Sequence, residues 1–339
     1  MYKKFFKFIP KVLLFGSPFI LLALSYFVFD PFHVLRNYKH YGSNYLKTYN
    51  RNRLSTETYL NYKDEHQFNS FILGSSRASA FHTLDWGKLI GEPAPFHFDA
   101  FNDNISGMRG KLEFIDKTGS KIKNALIIVD SDTFSEQYDE SESIVHHKDY
   151  RWTDEGLLSY HTRFFKAYFK KKYFVSYLDL KLFNTYRPFY MDEFFRFKYY
   201  YTTPLNDYLF PENIENIRKD SVKYYSNPEF HERAAHPAML DRQIKKHHLA
   251  DLKTIDSLFK VHKTNYKIII GPAFDQREYH PIDLDILGIY FGKKNIYNYT
   301  GKNKYTNDIT NYYEMSHYKP VVGRRILEEI YNSPENRTP

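Results

Sequence analysis

The first clear strand of the sequence is Ser70-Phe71-Ile72-Leu73, which runs into Gly74-Ser75-Ser76-Arg77. Its apolar part ends at a glycine, which is typical of a short strand buried inside a parallel sheet. The residues from Arg77 to about Leu89 are compatible with a helix. The sequence therefore predicts a strand, a tight turn and a helix, with two serines at the carboxyl end of the strand.

Four further apolar runs are typical of strands, and three further patterns are typical of helices. The predicted strands are Pro95 to Phe101, Ala125 to Val129, Tyr266 to Pro272 and Asn295 to Tyr299. The predicted helices are Met108 to Thr118, Leu240 to Val261 and Pro320 to Tyr331. Strands that alternate with helices indicate βαβ units. We therefore predict an α/β domain with a parallel sheet over residues 68–334.

Residues from about 135 to 235 interrupt this alternation. They are dense in aromatic and basic residues, as in Phe194-Phe195-Arg196-Phe197-Lys198-Tyr199-Tyr200-Tyr201. The whole chain is 19% aromatic, which excludes a disordered chain because such side chains need burial. We predict that this segment is a helical insertion that caps the sheet.

The N-terminus predicts a membrane anchor. Residues 12–29 carry no charge, and at helical rise they span ~27 Å, close to the ~30 Å thickness of a bilayer core. Four lysines precede them in residues 1–11, so the positive-inside rule keeps that end in the cytoplasm. The alternative is a signal peptide cleaved near Ala23-Leu24-Ser25, but the apolar run continues beyond that site and favours an uncleaved anchor.

The main body is therefore predicted outside the cytoplasm, in the periplasm or at the cell surface, behind a stalk of residues 30–67. The chain has no cysteine, which excludes disulfides and thiolate chemistry and fits an oxidising compartment. The net charge of +8 suits an anionic partner. We expect no nucleic acid as a partner, because an exported protein rarely meets one.

Cofactor-binding motifs are absent from the sequence, which contains no Gly-x-Gly-x-x-Gly, no P-loop and no His-Glu-x-x-His. The adjacent pairs His146-His147 and His247-His248 make poor chelates, since neighbours on a helix point about 100° apart. We therefore expect neither a nucleotide nor a metal ion.

Ser76 and His317 are the candidate catalytic residues, with Ser75 as the alternative nucleophile. A serine between a strand and a helix can stand beside free backbone N–H groups, although a serine that merely caps the helix is also common. A serine nucleophile needs a base, and Glu314, three residues before His317, can orient the imidazole. The alternative interpretation of Glu314 and His317 is an exposed loop histidine beside a surface glutamate.

Asn104-Ile105-Ser106-Gly107 and Arg77 are candidate binding residues. A glycine at this turn allows a backbone N–H to approach a ligand, while an ordinary βα turn explains it as well. Arg77 can bind an anionic group of a glycan or lipid, or can lie in solvent.

Taken in order along the chain, these features resemble the SGNH (GDSL-like) hydrolase superfamily. Gly74-Ser75-Ser76 is similar to its first block, Gly-Asp-Ser, Gly107 to the glycine of its second block, and Glu314-x-x-His317 to its closing Asp-x-x-His. The resemblance implies a flavodoxin-like three-layer domain in which Ser76 attacks, His317 is the base and Glu314 orients it. It also implies an oxyanion hole formed by the backbone N–H groups of Ser76 and Gly107.

One block departs from that pattern. The third SGNH block offers an asparagine to the oxyanion hole, whereas the third strand of this chain runs into Asp130-Ser131-Asp132. Either Asn102 or Asn104 takes its place, or the hole has fewer donors. The loss of one donor costs on the order of 2.7–4 kcal/mol of transition-state stabilisation, which affects fast hydrolysis more than slow acyl transfer.

Residues 311–323, the basic N-terminus and the anchor resemble a branch of membrane-anchored SGNH-like proteins. This branch serves bacterial surface-polymer acylation, such as teichoic-acid D-alanylation and alginate O-acetylation. The resemblance implies an acyltransferase or acyl esterase that acts on a cell-surface polysaccharide or another acyl-carrying polymer. It also implies a multi-pass membrane-bound O-acyltransferase as a partner. Two alternatives stay open: an inactive module that binds glycan or this partner, and a lipase or thioesterase with a deep apolar pocket at Ser76.

Overall fold

The computed structural model of the protein describes residues 2–39, 49–135, 144–195 and 200–332, with all their side chains except those of residues 2–14, 188, 192–194 and 200. The strands are β1 (Ser70–Leu73), β2 (Phe96–His97), β3 (Asn124–Val129), β4 (Tyr200–Tyr201), β5 (Tyr208–Leu209), β6 (Asn265–Ile270), β7 (Ile296–Asn298), β8 (Tyr312–Glu314) and β9 (His317–Tyr318). The helices are α1 (Tyr2–Phe29), α2 (Arg51–His66), α3 (Thr83–Ile90), α4 (Ile105–Lys117), α5 (Leu157–Tyr168), α6 (Lys171–Phe183), α7 (Pro188–Phe195), α8 (Pro211–Lys219), α9 (Ser221–Tyr225), α10 (His248–His262), α11 (Pro281–Phe291) and α12 (Pro320–Asn332).

Five strands form one parallel sheet in the order β2-β1-β3-β6-β7. The register places Phe71 of β1 between Phe96 of β2 and Ala125 of β3. β1 and β3 are buried along their whole length, which explains their apolar sequences, because helices cover both faces of a parallel sheet. The predicted α/β class with a parallel sheet is confirmed.

Successive side chains of β1 point to opposite faces of the sheet and enter two separate cores. Phe71 and Leu73 pack against the helices of one face, α2, α4, α10 and α11, which contribute Tyr59, Leu112, Ile255 and Phe291 among others. Ile72 packs against α3 and α12 on the other face, which contribute Trp86, Ile326 and Leu327. The sheet is therefore covered by helices on both sides, and its carboxyl edge is left to the loops.

The segment predicted as an insertion contains α5 to α9 and the short hairpin of β4 and β5. Residues 136–143 and 196–199 of it lie outside the described residues. One small core joins α5, α6 and α7 to the end of α1, through residues such as Tyr26, Phe164 and Tyr173. A second joins β5 to β8, where Tyr208 and Tyr313 belong to the same cluster. The insertion therefore connects the N-terminal helix with the strand that precedes His317.

Several boundaries differ from the sequence predictions. The helix expected from Arg77 to Leu89 is divided into a short 3-10 helix, Ser76–Ala80, and α3. The helix expected from Leu240 begins only at His248. The chain from Leu240 onward is tied to another segment, since the Leu240 N–H donates to the carbonyl of Glu278 and the Gln243 N–H to the carboxylate of Asp283. The hairpin of β8 and β9 and helix α11 have no counterpart among the predicted elements.

The segment predicted as a stalk differs most. Residues 51–66 form α2, and nine of its residues are buried, including Arg51 at 0% exposure. Arg51 donates to Asp99 at 2.6 Å and to the side-chain oxygen of Asn206 at 2.8 Å. The sequence did not predict this helix, because most of its buried side chains are polar and meet the body through ion pairs and hydrogen bonds. Residues 40–48 lie outside the described residues.

The predicted anchor, residues 12–29, falls within α1. Its side chains are described from Phe15 onward, so residues 12–14 lie outside that description. Over the described part of the chain, no helix combines the length and the apolar character needed to cross a bilayer.

Candidate active site

The candidate site lies at the carboxyl edge of the sheet, between β1 and β3, where the strand order reverses. β1 has β2 on one side and β3 on the other, and open α/β sheets bind ligands at such a switch point. Ser75 and Ser76 follow β1, and Asp130 follows β3. His317 arrives from the far end of the sequence, on β9, just before α12.

Ser76, His317 and Glu314 form one hydrogen-bonded chain. The Oγ atom of Ser76 lies 2.8 Å from Nε2 of His317. The Nδ1 atom of the same ring is hydrogen-bonded to a carboxylate oxygen of Glu314. The pairing of β8 and β9 sets Glu314 opposite His317, so the three-residue spacing becomes a direct contact across a tight hairpin. A carboxylate on Nδ1 fixes the tautomer in which Nε2 can accept a proton.

The environment keeps Glu314 ionised. Burial opposes its charge, but the hydrogen bond from His317 and that from the Ser316 N–H, 2.6 Å long, hold the pKa of Glu314 below its ordinary value. The ring of Phe210, from the insertion, lies 4.9 Å from the His317 ring between centroids. The imidazole is therefore held by a charge on one side and by an aromatic ring on another.

Ser75 has a different role from Ser76. Its side chain is fully buried, and its hydroxyl donates to the carboxylate of Asp130. The same oxygen accepts from the Arg77 N–H at 3.3 Å, which caps the 3-10 helix. Ser75 therefore joins the ends of β1 and β3, and it is Ser76 that meets the imidazole.

The Arg77 side chain connects the loop that follows β1 to the loop after β3 and to the β8–β9 turn. Its guanidinium lies 3.3 Å from Asp130 and 2.9 Å from Asp132, and its Nε donates to the Ser316 carbonyl at 3.0 Å. Burial opposes the charge, but the two carboxylates hold the pKa of Arg77 above its ordinary value. The two sequence interpretations, an anion-binding or a solvated side chain, both overlooked these partners. The charge of Asp130, which follows the third strand, is largely balanced by Arg77.

Asn104 caps α4 with its side-chain oxygen. This oxygen accepts from the Gly107 N–H at 3.1 Å, the Ser106 hydroxyl at 2.9 Å and the Lys148 ammonium at 3.0 Å. Because an amide N–H and an ammonium can only donate, these contacts fix which end of the Asn104 amide is oxygen. The Gly107 N–H, predicted to face an oxyanion, is occupied by this cap. None of the described residues accepts from the Ser76 N–H or from the NH2 group of Asn104.

Gly107 is required by packing. A Cβ atom at this position would lie 2.0 Å from a carboxylate oxygen of Asp103. Asp103 is itself buried and pairs with Lys111 at 2.8 Å. The glycine therefore makes room for a buried ion pair, a role that the sequence pattern did not indicate.

Three tyrosines of the insertion hold the backbone of the catalytic segments. The Tyr208 hydroxyl donates to the carbonyl of Ser76. Tyr224 donates to the carbonyl of Tyr313 at 2.6 Å, and Tyr225 to that of Tyr312 at 2.9 Å. Sequence reasoning missed all three, because the only signal was a high density of tyrosine across the insertion.

Tyr208→Phe is expected to lower kcat by about two- to tenfold and to leave KM nearly unchanged. The substitution keeps the ring in its core and removes the hydrogen bond to the Ser76 carbonyl, whose net value is about 0.5–1.5 kcal/mol. The measurement is kcat and KM on an aryl acyl ester. The control is Tyr297→Phe, on the edge strand β7. Equal kcat values for both variants would contradict the positioning role of Tyr208.

Two cavities adjoin the catalytic segments. One, of about 210 Å³, is lined by Arg77, Met315, Ser316 and Tyr279. The buried Tyr279 hydroxyl has no hydrogen-bond partner among the described residues. The other cavity, of about 520 Å³, lies beside Glu314 and is lined mainly by polar residues of α8, α9 and the loop after them: Asn216, Lys219, Asp220, Lys223, Tyr224 and Asn227.

In the part of the chain that the structure describes, no three side chains of His, Cys, Asp or Glu gather as metal ligands would. We found no family model that matches the sequence and no curated protein that matches it significantly. The geometry of the serine, histidine and glutamate is therefore the basis for the function proposed below.

Proposed function

We propose that this chain is a membrane-anchored, SGNH-like acyltransferase or acyl esterase that acts on a cell-surface polysaccharide or a similar polymer. The observation that carries the proposal is the distance of 2.8 Å between Ser76 Oγ and His317 Nε2, with Glu314 bonded to Nδ1. A nucleophile, its base and the group that orients the base are the signature of covalent acyl transfer. The sheet order, with the serine at the switch point, also supports the likeness to SGNH hydrolases.

The reaction proceeds through an acyl-serine. His317 takes the proton of the Ser76 hydroxyl as its oxygen attacks the acyl carbonyl, and Glu314 stabilises the imidazolium that forms. Collapse of the tetrahedral intermediate breaks the donor's ester bond, and His317 returns the proton to the leaving oxygen. A sugar hydroxyl then gives its proton to His317 as its oxygen attacks the acyl-serine. Collapse of the second tetrahedral intermediate breaks the bond to Ser76, whose oxygen takes that proton back from His317. Water in the same place gives hydrolysis.

Two donors are proposed for the oxyanion, the Ser76 N–H and the NH2 group of Asn104. The contacts to the oxygen of Asn104 leave its NH2 group without a partner among the described residues, as is also true of the Ser76 N–H. A third donor at Gly107 would require its bond to Asn104 to open. Asn104 therefore takes the part that the third-block asparagine plays in the SGNH pattern.

Asn104→Asp is expected to lower kcat by about 10²–10³-fold, the usual effect of losing one oxyanion donor. Aspartate caps a helix as well as asparagine does, so the melting temperature should change little. The measurement is kcat on an aryl acyl ester together with thermal unfolding. Asn102→Asp, two residues away, is the matched control. An unchanged kcat for Asn104→Asp would exclude Asn104 from the oxyanion hole.

The cavities favour a hydroxyl-rich substrate over a lipid chain. A lipase or thioesterase needs a deep apolar pocket, whereas a glycan enzyme needs a groove with polar and aromatic groups. The cavity beside Glu314 is lined mainly by Asn, Lys, Asp and Tyr side chains, which suit a sugar polymer. The cavity beside Arg77 mixes charged residues with apolar ones such as Phe274 and Met315. We therefore propose a sugar polymer as the acceptor.

An inactive binding module is less well supported. That alternative predicts a serine and a histidine too far apart for a hydrogen bond, and the observed contact is 2.8 Å. The proposed membrane location rests on residues 12–29 and on the outward apolar side chains of α1, such as Phe15, Phe19 and Leu21. An anchored enzyme of this kind would receive acyl groups from a membrane-bound O-acyltransferase.

The test is made in host cells whose own copy is replaced by the wild-type chain or by Ser76→Ala. Ester-linked acyl groups are released from the surface polymers by mild alkali and quantified by mass spectrometry, with equal protein levels established by immunoblotting. We expect one acyl class to be lost, or to accumulate if the enzyme is an esterase, in the Ser76→Ala strain. Identical acylation in the two strains would contradict the proposal.

A further inference from the structure

Helices α5, α6 and α7 of the insertion present large apolar side chains to the outside. Leu158 is 82% exposed, Leu182 is 67% exposed and Phe189 is 84% exposed. A helix on the surface of a protein normally turns polar residues outward. Large apolar side chains exposed together on neighbouring helices indicate a surface that contacts a partner or a membrane.

Helix α6 is apolar on two faces, and the protein covers only one of them. Tyr173 and Tyr177 are buried against α5 and α7. Val175, Leu178 and Leu182 follow each other at spacings of three and four residues on the other side, and all three are exposed. This spacing puts them on one stripe along the helix. The stripe is therefore a second apolar face that nothing in the described chain covers.

The covered faces of α5 and α6 pack against the last turns of α1. Phe29 contacts Tyr177 of α6 with 6.2 Å between ring centroids, and Phe27 contacts Phe165 of α5 at 5.9 Å. The Ser25 and Tyr168 hydroxyls are hydrogen-bonded at 3.0 Å. These contacts fix the insertion beside the last turns of α1, where Phe27, Val28 and Phe29 are also exposed. If α1 enters a bilayer, the insertion meets that bilayer where α1 leaves it.

The charges around this surface are mainly positive. Residues 157–195 contain seven basic residues and three acidic ones. Lys166, Lys170 and Lys171 are exposed and stand at the junction of α5 and α6, and Lys181 is exposed beside Leu182. Lysines beside an apolar face attract anionic headgroups, and the face itself enters the interface, as in amphipathic helices that lie on membranes.

We infer that the outer face of α5 to α7 lies in the headgroup region of an anionic membrane, next to α1. This contact is independent of the chemistry at Ser76. It gives the insertion two functions, since the same segment continues into Tyr208, Tyr224 and Tyr225, which hold the catalytic backbone.

The experiment uses the full chain, which has no cysteine, so that single cysteines can be placed without background labelling. Leu158→Cys and Leu182→Cys are compared with Val261→Cys, an exposed position at the end of α10. Each variant carries a small environment-sensitive fluorophore and is reconstituted into vesicles of phosphatidylcholine and phosphatidylglycerol. Quenching is measured with a lipid-attached nitroxide and with aqueous iodide, and circular dichroism verifies the fold.

We expect the nitroxide to quench the labels at positions 158 and 182 severalfold more than the label at 261, with the opposite order for iodide. Iodide access at 182 equal to that at 261, without quenching by the lipid nitroxide, would overturn the inference. Protection from both quenchers would overturn it as well, because a second copy of the chain or another protein would then cover the face. If the lipid nitroxide quenched the labels equally in vesicles of phosphatidylcholine alone, the inferred attraction of the lysines to anionic headgroups would be overturned.

Discussion

Ser76→Ala is expected to lower acyl-ester turnover by about 10⁴-fold or more, the largest effect of any single substitution in this chain. Loss of the nucleophile of a serine triad removes the covalent route and leaves only binding and oxyanion stabilisation. His317→Ala should cost nearly as much, because the two residues act as one unit through their 2.8 Å contact. The double variant should be little worse than either single one. Turnover is measured on an activated aryl ester with purified full-length protein.

Ser75→Ala is the matched control, one residue away and chemically the same change. Ser75 donates to Asp130 and not to His317, so this variant should keep turnover within about tenfold of wild type, the value of one net hydrogen bond. A large loss in Ser75→Ala together with a small loss in Ser76→Ala would reverse the assignment of the nucleophile.

Arg51→Met is expected to lower the free energy of unfolding by about 3–5 kcal/mol, the usual cost of removing one partner from a buried ion pair. Both side chains of the Arg51–Asp99 pair are fully buried, and the change would leave Asp99 as an uncompensated charge. The hydrogen bonds from Arg51 to Asn206, which connect α2 with the insertion, would be lost too.

The measurement is urea unfolding of the full chain, followed by tryptophan fluorescence. Trp86 and Trp152 lie in the cores on the two faces of the sheet, so the signal reports on the α/β domain. Arg218→Met is the matched control, because its partner Glu215 is at the surface and such pairs are worth at most about 1 kcal/mol. Similar losses in the two variants would contradict the structural role of Arg51. Arg51→Met combined with Asp99→Leu should recover part of the stability.

The sheet could be predicted from the sequence because its strands are local signals. β1 and β3 are apolar runs that end at Gly74 and Asp130. Because both faces of these strands are buried, their sequences are continuously apolar rather than alternating. Helix α2 could not be predicted as part of the body. Its residues are largely polar, and its burial depends on partners such as Asp99 and Asn206, which lie 48 and 155 residues away.

In the candidate site, too, the features with a local sequence signal could be predicted and those that depend on distant partners could not. Ser76, Glu314 and His317 were identified because each stands next to a strand end or a turn and their order carries information. The hydrogen-bonded surroundings are long-range: Arg77 reaches Ser316 across 239 residues, and Tyr208 reaches Ser76 across 132. Ser76 and His317 are equally distant, 241 residues apart, but each belongs to a recognisable motif, whereas no motif marks Arg77–Ser316 or Tyr208–Ser76 as a pair. For the same reason the cap that occupies the Gly107 N–H could not be anticipated.

Covalent labelling of the full chain with a fluorophosphonate tests most directly the claim that Ser76 is an activated nucleophile. The labelled protein is digested, and the modified residue is identified by mass spectrometry, with Ser75→Ala and His317→Ala treated in parallel. We predict that the label is found on Ser76 in wild type and in Ser75→Ala and is absent from His317→Ala. Absence of label from folded wild-type protein, or its attachment to Ser75, would contradict the assignment of Ser76 as the nucleophile.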